Sequence, residues 1–122
     1  MTKWRTAVLS GLTLGLAVPL VGACSSSTAH ASAPATESTC QQVSAVLSDG
    51  PDPDADPVGY AEAQILPLRQ ISAPDQALQA AITQLADAYQ QFFSSDGKSS
   101  NAKESVAVAS NKLNSICTGA AS

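Results

Sequence analysis

The sequence of 122 residues predicts an all-α fold, a small up-down-up-down four-helix bundle closed by one disulfide. Three observations predict it. Four segments carry apolar residues in steps of three and four, the spacing of one helical face, and none alternates with a period of two over a useful length. Residues suited to helix N-termini stand at the heads of these segments. Cys40 and Cys117 bracket all four. Helices that alternate in direction bring the start of the first and the end of the last to the same end of a bundle only when their number is even. A disulfide needs Cα atoms about 4.4–6.8 Å apart, so the cysteines permit four helices and exclude three or five.

The first helix is marked by Cys40, Val43 and Leu47, with Val46, and is expected from Glu37 or Ser38 to Ser48. Asp56 followed by Pro57 is an N-cap and first-residue pair for the second, which sets Val58, Ala61, Ile65 and Leu68 on one face. Pro67 falls inside that stripe, removes the bond to the carbonyl of Ala63 and disfavours helical geometry at Leu66. A kink or break is expected there, with a short extension towards Ile71. The third helix has the clearest stripe: Leu78, Ile82, Leu85, Tyr89 and Phe92, widened by Ala81 and Ala88. Ser72 with Asp75 three residues later reads as its capping box, and Pro74 is tolerated in its first turn. After the loop "SSDGKSS", Val106, Ala109, Leu113 and Ile116 define the fourth helix, with Asn101 and Glu104 as capping box and Gly119 as its stop.

Ahead of this domain the composition changes. Lys3 and Arg5 precede "AVLSGLTLGLAVPLV", an uncharged run from Ala7 to Val21 with the length and flanks of a secretory signal peptide. A retained signal-anchor helix is the alternative, disfavoured by Gly11, Gly15 and Pro19. The run ends in "VGAC", which resembles the lipobox of bacterial lipoproteins: aliphatic Val21, small Gly22 and Ala23, then Cys24. That resemblance implies cleavage of residues 1–23 and acylation of the Cys24 thiol. Each buried acyl methylene contributes about 0.8 kcal/mol, and two or more chains give stable anchoring. The chain is then expected on the extracytoplasmic face of the cell membrane, held there by lipid.

Residues 24–38 comprise the lipidated cysteine and a Ser/Ala/Thr/Pro tether, "SSSTAHASAPATES", with nothing to bury. As a flexible coil it spans about 20 Å. Its His30, the only histidine, is assigned neither a ligand nor a catalytic role. The helical domain is expected over 39–118, with a tail at 119–122. Some eighty residues make a marginal core, and such small exported domains are commonly stapled. Cys40 and Cys117 are the only other cysteines, so they are expected to pair. Closing that loop stabilises by about 4–5 kcal/mol in the chain-entropy model, an upper figure.

Charge narrows the function. The whole sequence carries −4 at neutral pH. Loss of residues 1–23 leaves Arg69, Lys98, Lys103 and Lys112 against ten acidic residues, a net charge of −6. That balance argues against nucleic-acid partners, which need basic footprints, and against a basic membrane-docking face.

The motifs point away from catalysis. In "DGPDPDADPVGY", Asp52, Asp54 and Asp56 alternate like the first ligands of a calcium loop. The sixth position is Pro57 rather than Gly and the twelfth is Ala63 rather than Glu, so the stretch reads first as a stiff acidic connector. The serines have no histidine to activate them, and the cysteines are committed to lipid and disulfide. Glu62 and Arg69 read as a solvated pair on a helix flank. No phosphate loop or cofactor motif is present, so neither an enzyme nor a cofactor is expected. Tyr60, Tyr89, Phe92 and Phe93 are the aromatics beyond residue 23. They are read first as core packing, with Tyr60, Tyr89 and Phe92 the candidates for lining a pocket between helices.

The "VGAC" box, the two distal cysteines and the block "DGPDPDADPVGYAEAQILPLRQI" together resemble small lipoproteins of high-GC Gram-positive bacteria, mycobacterial relatives among them. The resemblance covers most of the chain and brings no activity with it. The two-cysteine helical framework is also similar to secreted mycobacterial haemophore-like helical proteins, without a haem-ligand motif; haem would have to use a tyrosine. The expected function is a non-catalytic binding or interaction module of the cell envelope, with an envelope protein as partner. The alternative is a carrier of a small hydrophobic or planar ligand.

Overall fold

A computed structural model describes residues 33–118, which form four helices. They are α1 (Ala33–Leu47), α2 (Pro57–Gln70), α3 (Gln76–Ser94) and α4 (Ser100–Ile116), with no strand among the described residues. The bundle is up-down-up-down, and Cys40 is bonded to Cys117 with their Cα atoms 5.4 Å apart. The expected signal peptide, Cys24, His30, the Gly119 stop and the 119–122 tail lie outside the described residues.

The apolar stripes face inward as their spacing requires. Val43, Leu68, Leu78, Ile82, Leu85 and Leu113 are fully buried, each with no exposed surface. Ala61, Ala81 and Ala86 bring backbones close between them. The central element is α3, which packs against both α2 and α4, while α1 leans more lightly on α2. Leu66 and Val108 are the large apolar side chains left exposed among the described residues.

Several helix ends differ from expectation, each for a local reason. The first helix begins at Ala33, so residues 33–38 are helical where a tether was expected, and Cys40 lies two turns inside it. Ala33 and Ala35 favour helix, and Pro34 belongs to the first turn, where its missing N–H would be unpaired anyway. Asp56 caps α2 as expected, its Oδ1 accepting from the Gly59 amide at 2.9 Å. That helix then runs unbroken through Pro67 to Gln70. The carbonyl left without a donor belongs to Ala63, on the exposed face, where water can take it.

Asp75, not Ser72, caps α3, accepting from the Leu78 amide at 2.8 Å. Pro74 disfavours helix at Ala73, which keeps the chain extended until Asp75. Gln79 then fixes the 71–75 loop, its Oε1 accepting from the Ala73 amide at 2.7 Å. Ser99, not Asn101, caps α4, accepting from the Ala102 amide. The end of α3 decides this. The Gly97 amide donates to Phe92 O and the Asp96 amide to Phe93 O, a Schellman closure with Asp96 and Gly97 both at positive φ. The chain therefore reverses tightly enough to start α4 early. A Cβ at Gly97 would stand 3.1 Å from Val58 and 3.2 Å from Phe92, so this turn needs glycine for space as well as for its backbone angle.

Candidate functional site

The cleft worth attention is set by where α1 stops. Seven residues separate Cys40 from Leu47, so α1 ends about 10 Å beyond the disulfide along its axis. Eleven residues separate Val106 from Cys117, which puts Val106 about 16 Å from the same level along α4. At the height of Val106 the fourth corner of the bundle is therefore made by the 48–56 loop rather than by helix. Loop covers less than helix, and an apolar cleft of about 210 Å³ remains. It is lined by Pro53, Pro57, Tyr60, Tyr89, Phe92 and Val106. The three aromatic residues singled out from the sequence thus stand together, from α2 and α3, with the two prolines as the outer wall. Phe93, the fourth aromatic, is half-buried at the core margin instead.

Tyr60 and Tyr89 meet edge to face, ring centres 5.9 Å apart and planes at 83°. This is a favoured aromatic geometry, contributing about 0.5–1.5 kcal/mol beyond area burial. The Tyr60 hydroxyl donates to Leu47 O at 2.7 Å, which satisfies a carbonyl at the last turn of α1. One turn further along α2, Gln64 Nε2 donates to Asp49 O at 2.6 Å. The pair clamps the chain where it leaves α1. Gly50, at φ +109°, passes so close that a Cβ there would sit 3.1 Å from Gln64 Nε2. Gln64 is the surprise of the interior: it is 1% exposed, and its Oε1 has no partner among the described residues. Nothing in its periodicity distinguished it, because its partner lies in a loop fifteen residues earlier.

Burial pushes the Tyr89 phenol well above its ordinary pKa, and the neighbouring Tyr60 adds to the shift. Tyr60 is raised too, by burial, partly offset by Tyr89. Both are neutral hydroxyls at any physiological pH, so the cleft presents ring faces, ring edges and proline rings but no charge.

The acidic stretch forms a turn, with the Asp56 amide donating to Asp52 O at 2.8 Å and the Asp54 amide to Asp52 Oδ1 at 2.9 Å. With Asp56 spent on capping, the three carboxylates do not converge, and no group of three potential metal ligands stands together among the described residues. Arg69 does not pair with Glu62; its Nη2 bonds Asp87 Oδ1 on α3 at 3.1 Å, both side chains about half exposed. Such a pair contributes little to stability. No helix among the described residues is long and apolar enough to cross a membrane.

Two larger concavities are lined by more polar surface. One, of about 680 Å³, runs beside the disulfide and includes Thr36, Glu37, Gln41 and Ser44. The other, of about 560 Å³, lies between α3 and α4 and includes Gln84, Asp87, Gln91 and Glu104. Neither gathers a polar group held away from water. No protein-family model, curated protein or solved structure matches the chain. The site is therefore read from its own geometry.

Proposed function

We propose that the chain is an exported, lipid-anchored, non-catalytic binding module of the cell envelope, with the aromatic cleft as its recognition site. The supporting observation is where the cleft lies. It opens at the end of the bundle where α1 stops and α2 begins, away from the N-terminus of α1. Nine positions before that N-terminus stands Cys24, the residue proposed to carry the acyl chains. A bundle attached at one end and hollowed at the other holds its cleft away from the bilayer, where a partner can reach it.

At this cleft, size favours a module over a carrier. Pockets that enclose drug-sized ligands run to about 300–1,000 Å³. A cleft of about 210 Å³ takes one ring or one side chain, and leaves most of a large planar ligand outside. Native mass spectrometry of the protein isolated from its own membrane tests the reading. The expected species is the acylated chain with a protein partner and no small apolar adduct. A stoichiometric small ligand instead returns the protein to the carrier alternative. Cys24→Ala tests the anchor separately: the expected result is release from the membrane fraction or stalled processing. Unchanged retention and maturation remove the lipid from the account.

A further inference from the structure

The surroundings of the cleft narrow what it recognises, given the reading of the cleft as a binding site. Its two prolines are interleaved with carboxylates: Asp52 and Asp54 flank Pro53, and Asp56 precedes Pro57, all exposed. Asp49 begins the same loop. Nothing along this part of the chain balances them: no lysine or arginine occurs between residues 33 and 68, and Lys98 pairs with Asp96, Nζ and Oδ2 2.6 Å apart. The result is an apolar hollow the size of one side chain beside a strip of unbalanced negative charge. Aromatic faces add to the attraction for a cation, since the ring quadrupole presents its negative side.

We infer that the occupant is a segment of a partner protein that seats one apolar or aromatic side chain in the cleft and sets lysine or arginine against the 49–56 loop. Two observations carry this beyond a generic apolar groove. The cleft volume matches an anchoring side chain rather than a free-standing ligand. The acidic loop supplies the complementarity that chooses among partners, since charges at the rim act mainly on selection and encounter rate.

Calorimetry with the full chain in mild detergent tests it, using two blocked pentapeptides that share a central phenylalanine. One has lysine at the other four positions, the other glutamate. The lysine peptide is expected to bind about tenfold more tightly or better, and to weaken about threefold or more in 0.5 M salt, as screened charge requires. Phe92→Ala should abolish binding. Asp54→Lys lies on an exposed loop outside the core and should weaken the lysine peptide about threefold with the fold intact. Equal binding of the two peptides overturns the charge assignment and leaves the cleft as a site. Binding of neither overturns both. A small apolar adduct on the isolated chain, or a dimer that Phe92→Ala dissolves, puts a different occupant in the cleft and also overturns the inference.

Discussion

The two sides of this bundle are held by different physics. Around α3, the contacts with α2 and α4 are continuous apolar packing, with Leu68, Leu78, Ile82, Leu85 and Leu113 sealed from solvent. Side chains of this kind contribute about 1.5–3 kcal/mol each when fully buried. On the other side, α1 contributes Val43 as its one fully buried large apolar residue and packs more lightly. It is retained by a covalent bond at Cys40 and by two polar clamps, Tyr60 to Leu47 O and Gln64 to Asp49 O. Three helices form the core, and a fourth is fastened to it. A short, fastened helix leaves part of the fourth corner to loop, and the aromatic cleft follows from that shortfall.

The largest expected effect comes from undoing the fastening. Reduction, or Cys40→Ala with Cys117→Ala, opens a loop spanning 77 residues. The chain-entropy model sets the destabilisation at up to about 4–5 kcal/mol. If the comparison holds, hydrogen exchange in α1 rises well before exchange in α2, α3 and α4. Uniform loss of protection across all four helices would show a single cooperative unit and break the distinction. The next effect reads the core directly. Leu85→Ala removes a fully buried side chain of α3 and should cost about 3 kcal/mol in urea denaturation. The same substitution at half-buried Leu47 on α1 should cost less than about half as much. Equal losses would place α1 in the core after all.

How much of this was legible in the sequence depends on what each feature needed. The four helices and their inward faces depend on spacing along the chain, and spacing is written there; the cysteine pairing followed from only two cysteines remaining once Cys24 was assigned to lipid. Tyr60, Tyr89 and Phe92 could be gathered because aromatics are few and two of them share the stripe of α3. Helix starts were harder, since Ser72 and Asp75, or Ser99 and Asn101, offer equivalent caps to the eye. Choosing between them takes the exit geometry of the preceding turn, which Pro74 and the Asp96–Gly97 pair decide. Pro67 misled because its cost depends on which face holds the carbonyl of Ala63. The early start of α1 misled because its first turns are composed of the small polar and Pro-spaced residues of a tether. The clamp by Gln64 was invisible for a different reason. Its partner is a loop carbonyl, and a glutamine in a stripe carries no mark of the bond it will make.

Alkali probes the junction of the two regions, where the tyrosines meet. Both phenols are raised by burial above the unfolded value near 10. The sign follows directly: below pH 10 both folded and unfolded chains keep the protons, and stability is unaffected. Above it the unfolded chain ionises first, so stability falls as pH rises, by up to about 1.4 kcal/mol per pH unit for each phenol still protonated in the fold. The sequence holds only these two tyrosines, so absorbance near 295 nm reports them cleanly. Tyrosinate should appear together with loss of helical signal. Free titration near pH 10 in an intact fold would mean that the junction is open to water.

The smallest effects separate the two clamps from each other. Tyr60→Phe keeps the ring against Tyr89 but removes the bond to Leu47 O and the hydroxyl contact with Tyr89, so about 1 kcal/mol or somewhat more should be lost. Gln64→Met keeps the volume and also removes a bond, yet it relieves a buried Oε1 that has no partner among the described residues. The Asp49 carbonyl it releases belongs to an exposed residue, where water can replace the lost donor. Loss and relief oppose each other, and the net change should stay within about 0.5 kcal/mol of zero. If Gln64→Met proves as costly as Tyr60→Phe, the orphan oxygen has a partner after all, such as a bound water. The fastening of α1 would then rest on a polar network and not on two separate bonds.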